Sequence, residues 1–484
     1  MTDAMTDATK DPGTDAFTDM QDRLDSQKRA QIAGGFVPLE QRLDRLKRCI
    51  SILEGNGAAL CDAMRQDFGH RSLDQSKMAD IDGAMGPIKN AIKHTRHWMK
   101  SEQRSTLFPL NLFGSRSRIE YQPLGVIGCI SPWNFPVQLT FAPLAGILAA
   151  GNRTMIKPSE FTPITSELMK RLIESSFDPD EIAVFTGGPE VGQAFSGLAF
   201  DHLLFTGATG VAKHVMRAAA ENLVPVTLEL GGKSPVIVGR SADMDLAARN
   251  IMNGKTMNAG QICLAPDYVM VHEEYRDEFV DAARAAVGTM YPDLKDNPDY
   301  TSIVNERHYD RLQSYVDDAR AKGAEVLEIN PANEDFSQQE HHRVPPTLIV
   351  NPTEDMLVMQ EEIFGPILPV KTYDNVEETI GYVNDHQRPL GLYYFGKDHA
   401  ETRRVLDETV SGGVTLNDVI MHVAQEDLPF GGVGPSGMGS YHGIEGFKTF
   451  SHAKAIYTQS SLASKIIAKM GPPYKKKPAS GQTA

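Results

Sequence analysis

The chain has 484 residues, enough for two or three domains, and its 41% hydrophobic and 23% charged residues sit near globular averages, which excludes a wholly disordered or fibrous protein. Its 48 Lys+Arg against 63 Asp+Glu leave a net charge of −15, a balance that repels nucleic acid and anionic lipid and excludes both as main partners. No segment reaches the ~20 apolar residues of a membrane span, so no stable membrane insertion is expected.

The N-terminus is polar and acidic with no hydrophobic signal region, and the 4 cysteines (Cys49, Cys61, Cys129, Cys263) contain no CxxC pair. Both features predict a protein of a reducing cytoplasm. Residues 1–30, which open on a doubled MTDA tetrapeptide, carry little apolar content and predict a disordered tail. Leu39, Leu43, Leu46, Ile50 and Leu53 recur at helical spacing, as do Met78, Ile81, Met85, Ile88 and Ile92, with Pro87 expected to kink or break the second helix. β-rich runs follow at Val126–Ile130, Thr154–Ile156, His202–Thr206, Val224–Leu230 and Pro235–Val238, separated by helical stretches such as Pro163–Ser176 and Val211–Asn222. A second set lies at Tyr268–His272, Thr347–Val350, Ile367–Val370 and Leu392–Phe395. Alternation of this kind predicts an α/β fold, two mainly parallel units with a crevice between them. The chain closes on a short basic run at Lys475–Lys477, read as a solvated terminus because so few basic residues bind lipid weakly.

Gly432-Val-Gly434-Pro-Ser-Gly437 fits the GxGxxG pattern, but no strand precedes it and Pro435 interrupts it, so a loop is expected there. Thr206-Gly207-Ala208-Thr209 is the better phosphate candidate, since it follows a strand and leads into a helix whose N–H groups favour an anion. Cys263 lies among small and polar residues (Asn258, Ala259, Gly260, Gln261), the open surroundings a reactive thiolate needs, whereas Cys129 sits inside an apolar run as an inert core residue. Glu229, in Thr227-Leu-Glu-Leu-Gly-Gly, has two readings: a buried general base with a raised pKa, or an edge-strand carboxylate facing water. Trp133 and Asn134 stand between two prolines after an apolar strand, and a fixed Asn134 amide suits an oxyanion hole as well as a structural turn. The 14 histidines contain no HExxH, and no metal site is expected.

Seven segments in order, Ser131-Pro-Trp-Asn-Phe-Pro, Ile156-Lys-Pro-Ser-Glu160, Phe205-Thr-Gly, Leu228-Glu-Leu-Gly-Gly-Lys-Ser-Pro, Gly260-Gln-Ile-Cys, Glu361-Glu-Ile-Phe-Gly-Pro and Pro429-Phe-Gly-Gly, resemble the aldehyde dehydrogenase superfamily from about Leu39 to Tyr457. Asn258–Tyr268 and Ser436–Gly443 resemble its class 3 branch, and Ile130–Leu168 with Gly434–Gly439 most resembles the branch's coniferyl-aldehyde dehydrogenases.

The resemblance implies a Rossmann-type NAD-binding domain over 31–229 with a bridging arm near 115–122, and an α/β catalytic domain over 230–428. A return segment and oligomerisation strand would follow over 429–460, then a tail over 461–484, in a homodimer. It implies oxidation of an aldehyde to its acid, with Cys263 as nucleophile, Asn134 in the oxyanion hole and Glu229 as the base for hydrolysis. Trp133, Lys157, Glu160, Thr206, Gly207, Ala208, Thr209, Ala212, Glu362 and Phe364 would line the cofactor. Glu160 favours NAD by repelling a 2′-phosphate, with NADP use left open, and Ala212 stands where many relatives have glycine. Coniferyl aldehyde is the expected substrate. The competing readings are a medium- or long-chain aliphatic aldehyde and, less favoured, a cofactor-independent esterase.

Overall fold

Residues 12–468, 471, 472 and 474 are described in a computed structural model of the chain. Its apolar runs pair as parallel strands, which need both faces covered, and the intervening helices provide the cover. Val126–Ile130, Arg153–Lys157, Ile182–Val184, His202–Thr206 and Val226–Glu229 form the first sheet, all parallel. Val126–Ile130 lies at its centre, between Arg153–Lys157 and His202–Thr206, so the chain builds outward from it in both directions. At such a reversal a doubly wound sheet opens a crevice beyond the carboxyl ends of its strands. The edge beside Val226–Glu229 is closed by the short antiparallel strand Gly437–Met438.

The second sheet joins Pro235–Val238 to Tyr268–His272 and Gly391–Phe395, with Ile367–Tyr373, Thr347–Val350 and Gly413–Leu416 outside them in parallel and Glu325–Glu328 antiparallel at one edge. A third, antiparallel sheet of Glu102–Arg104, Arg116–Pro123 and Ser451–Thr458 forms an arm. The helices Leu39–Asp67, Gly83–Trp98 and Gln138–Ala150 share one core with the first sheet through Leu46, Leu53, Ile88, Phe141 and Leu148, and that core reaches Ile262 and Leu264 beside Cys263. Among the described residues no helix is long and apolar enough to cross a membrane.

Two expectations need correction. Residues 12–34 of the chain's start form a helix, Pro12–Gly34, rather than a disordered tail. Its Met20 and Leu24 are buried against Val126, Met155 and Phe200, Gln27 Nε2 donates to the carbonyls of Thr154 and Pro179, and Arg23 pairs with Asp180. So few apolar side chains leave no visible period, and docking stabilises this helix more than its own pattern does. Residues 1–11 and the Lys475–Lys477 run lie outside the described residues. Pro87 does not break its helix: the backbone runs through it, and a π-helical turn, Lys77–Asp82, precedes the α-helix instead. Such a turn accommodates irregular hydrogen bonding without ending the element.

Candidate active site

Because the strands of the first sheet are parallel, their carboxyl ends deliver Ser131–Asn134, Lys157–Glu160, Gly207–Thr209 and Glu229 to one edge. The second sheet meets that edge with the segments that enter its strands: Gly231–Lys233, the loop 257–267 and Glu362–Gly365. Cys263 is half-buried and free.

The thiol loop is held in an unusual shape. Asn258, Ala259 and Gly260 all take left-handed φ, at 51°, 50° and 72°. A Cβ on Gly260 would stand 2.3 Å from the Gly365 carbonyl oxygen, so only glycine lets this loop touch the Glu362 segment. The buried Gln261 side chain staples the loop: Nε2 donates to the carbonyls of Asn258 (2.9 Å) and Ser302 (3.0 Å), and Oε1 accepts from Val304 N–H (3.0 Å).

Asn134 is 4% exposed, and its Nδ2 donates to the Gln261 carbonyl at 3.1 Å. An amide nitrogen carries two hydrogens, so one remains for a substrate oxygen. Sequence reasoning missed what holds Asn134 in place. Arg71 Nη1 donates to its carbonyl at 2.9 Å, while Arg71 Nη2 pairs with Asp80 Oδ2 at 2.6 Å, both residues fully buried. Asp80 Oδ1 in turn accepts from the N–H groups of Val137 and Gln138 ahead of the next helix. Asp80 falls on the stripe of Ala84, Ile88 and Ala91, and a charge on that buried face was the readable signal.

Glu229 is 3% exposed, which settles its two readings in favour of burial. The neighbouring Gly432–Gly437 segment is a loop folded onto the strand, with Leu230 N–H donating to the Ser436 carbonyl and Gly437 paired with Glu229. Neither carboxylate oxygen of Glu229 has a hydrogen-bond partner, and burial raises its pKa well above the ordinary value. Burial also pushes the Cys263 thiol up to about 12, with the negative charges of Glu362 and Glu229 adding to it. Those three acidic groups therefore share one poorly solvated space. Burial likewise brings Glu362 up to about 7, opposed by the Gly232 N–H, and leaves its Oε1 without a partner. Arg311 Nη1 fixes this segment through the Ile363 carbonyl at 2.7 Å, and Asp267 Oδ1 accepts from Ile363 N–H at 2.9 Å. Lys255, fully buried with an unpartnered Nζ, is lowered to about 7 by burial in the field of Asp267 and Lys233.

The remaining expected residues fall along the crevice, with one exception. Trp133 packs on His308 (5.2 Å) and edge-on to Phe364 (5.4 Å). Lys157 Nζ reaches Glu160 Oε2 at 3.1 Å. Thr206 and Gly207 end the strand, Ala208 caps the helix Thr209–Glu221, and Thr209 Oγ1 donates to the Pro435 carbonyl. The exception is Ala212, whose methyl is sealed into the core with Phe205 and Val215 and so serves helix packing. The arrangement fits a dinucleotide: a helix N-terminus with no side-chain cap and open space at Gly210, an ion pair at the end of Arg153–Lys157 in the same sheet, and an unpartnered buried oxygen on Glu362.

A parallel-sheet crevice lined by a half-buried thiol, an amide with a spare hydrogen and a desolvated carboxyl is an enzyme-like site, and residues 16–456 match the aldehyde dehydrogenase family, to which the chain belongs. It is 61% identical to a probable coniferyl aldehyde dehydrogenase of Caulobacter vibrioides, over 94% of each chain. It is 55% identical to a coniferyl aldehyde dehydrogenase of a Pseudomonas species, over 93% of this chain and 92% of the relative. Among solved structures, a substrate-bound AldH of Staphylococcus aureus superposes with a TM-score of 0.86 at 38% identity, covering 93% of this chain and 99% of that one. The chain is thus an aldehyde dehydrogenase that uses a nicotinamide cofactor.

Proposed function

We propose that the protein oxidises coniferyl aldehyde to ferulate with NAD, through covalent catalysis at Cys263. The observation that carries the chemistry is the shared desolvated space of Cys263 and Glu229, with neither oxygen of the carboxyl otherwise engaged. The names of the relatives at 61% and 55% identity support the substrate.

Cys263 Sγ releases its proton to solvent water and adds as the thiolate to the aldehyde carbon. The oxyanion of the resulting thiohemiacetal takes the spare Nδ2 hydrogen of Asn134 and the Cys263 N–H. Bound nicotinamide supplies the acceptor for the hydride that leaves this carbon, and the acyl group stays on sulfur as a thioester. Glu229, a stronger base than a solvated carboxylate because nothing else stabilises its charge, draws a proton from water. The hydroxide attacks the thioester, the C–S bond breaks, and the acid departs.

Glu362 and the Lys157–Glu160 pair would hold the two ribose hydroxyl sets, Trp133 and Phe364 would flank the ring, and the Gly207–Thr209 turn would meet the pyrophosphate. An exposed carboxylate at Glu160 repels a 2′-phosphate, which favours NAD over NADP. In this reading the sheet of strands 126–229 carries the cofactor and that of strands 235–416 the thiol. The chain forms a homodimer through its arm, where Ser451–Thr458 is an open sheet edge and Leu107, Phe108 and Leu112 are exposed.

Turnover of coniferaldehyde, hexanal and benzaldehyde with NAD and with NADP, acid product identified by chromatography, tests the assignment. Higher kcat/KM with coniferaldehyde and NAD is expected; a clear preference for hexanal sinks the aromatic substrate, and light scattering that finds a monomer sinks the dimer.

A further inference from the structure

Cys263, Met85 and Val423 pack against the same apolar cluster, which includes Ile262, Phe430 and Tyr441, and such surroundings suit the hydrocarbon body of an aldehyde. Two polar side chains border that cluster. Glu426 approaches helix Gly83–Trp98 so closely that a Cβ on Gly86 would stand 2.9 Å from its Oε1, and its Oε2 is buried without a hydrogen-bond partner. His442 is 6% exposed, packs on Phe430 at 4.9 Å and edge-on to Tyr441 at 4.8 Å, and leaves Nδ1 buried and equally unpartnered.

A Cβ on Gly443, next to His442, would stand 2.4 Å from the Glu426 carbonyl oxygen, and one on Gly431, next to Phe430, would stand 3.2 Å from Glu229 Oε1, so Glu426 and Glu229 border the same Phe430–His442 aromatic pair. Burial raises the Glu426 carboxyl to about 7. An unsatisfied polar atom in an apolar wall is costly, and it is explained when a bound molecule brings the missing partner.

Resting on the aromatic-aldehyde reading above, we infer that Glu426 sets substrate specificity: its unpartnered oxygen receives a hydroxyl carried on the aromatic ring of the aldehyde. The phenolic O–H donates to Glu426 Oε2, and an aldehyde with a bare ring leaves that atom unpaired.

The test compares kcat/KM for para-hydroxycinnamaldehyde and cinnamaldehyde, which differ only in that hydroxyl, in the wild-type enzyme, Glu426→Leu and Glu426→Gln. Wild type should favour the hydroxylated aldehyde by at least about tenfold, the discrimination expected of a site built around a substrate hydroxyl. Glu426→Leu should cut that ratio by about tenfold, and Glu426→Gln, which keeps an acceptor oxygen and the side-chain shape, should retain more of it. Thermal melting and NAD binding establish that each variant is folded, and the isosteric Gln variant carries the test where the Leu variant fails to fold. An unchanged ratio in folded Glu426→Leu, or a wild-type enzyme indifferent to the hydroxyl, overturns the role of Glu426 while leaving aromatic oxidation intact. Oxidation of hexanal with neither cinnamaldehyde overturns the substrate reading and Glu426's role with it.

Discussion

Beneath the thiol loop, Gln261 bonds through both ends of its amide and Asp80 accepts from Arg71, Val137 and Gln138. In the candidate site, Glu229 accepts from nothing, and Glu362, Glu426 and His442 each keep a buried atom unpaired. The two regions share one protein interior and treat their polar atoms differently. Gln261 and Asp80, which position others, have their side-chain oxygens and nitrogens partnered inside the fold. Groups proposed to meet substrate, water or cofactor leave theirs open, which costs stability and keeps them reactive.

That contrast breaks most visibly at the thiol and its base. Cys263→Ala should reduce aldehyde oxidation at least about a thousandfold while leaving NAD binding measurable by fluorescence. Glu229→Gln should lower steady-state turnover by about 10²–10⁴-fold with an acyl-enzyme detectable by mass spectrometry, and its melting temperature should match or exceed that of the parent, because a buried unpaired carboxyl has been removed. A Glu229→Gln variant that melts far below the parent would place Glu229 among the structural groups.

On the partnered side, Asp80→Ala leaves Arg71 as an unpaired buried cation, and a loss of about 3–5 kcal/mol in denaturant unfolding is expected. Activity should fall alongside, through the loosened Asn134 carbonyl.

The smallest effect is a pH signature. Glu362 is raised in the folded protein, from 4.5 to about 7, so its contribution to stability is fully present below pH 4.5 and is lost as pH rises through about 7. Glu362→Gln, which cannot ionise, should therefore gain melting temperature relative to the parent across that window and level off above it. A gap that stays constant with pH would mean that the Glu362 carboxyl is solvated.

The sequence made the alternation of strands and helices legible because buried parallel strands are continuous apolar runs: His202–Thr206, Pro235–Val238, Tyr268–His272 and Thr347–Val350 have the bounds read from residues alone. The arm strands Arg116–Pro123 and Ser451–Thr458 are mostly polar and partly exposed, so periodicity was silent there and only family resemblance pointed to a bridging arm near 115–122 and an oligomerisation strand within 429–460. Pro12–Gly34 was hidden for the related reason that its stability comes from the surface it docks on. Cys263 stood out by its small polar neighbours, but residue type could not separate a buried Glu229 from a solvated one, since the edge of its strand is covered by Gly437–Met438, more than 200 residues later in the chain. Arg71 was invisible for the same reason: its partners are one backbone carbonyl, of Asn134, and the Asp80 carboxylate on other elements.

The left-handed run at Asn258–Gly260 gives the thiol loop a mechanical character. Such backbone costs roughly 1–2 kcal/mol at a residue with a side chain, so Asn258 and Ala259 act as a wound spring and Gln261 as its latch. Sever the latch and the loop relaxes toward right-handed backbone, swinging the sulfur away from Asn134 although every reacting atom is still present. In the proposed mechanism, catalytic competence would then rest on a tension held by Gln261, whose own amide is fully engaged by the backbone.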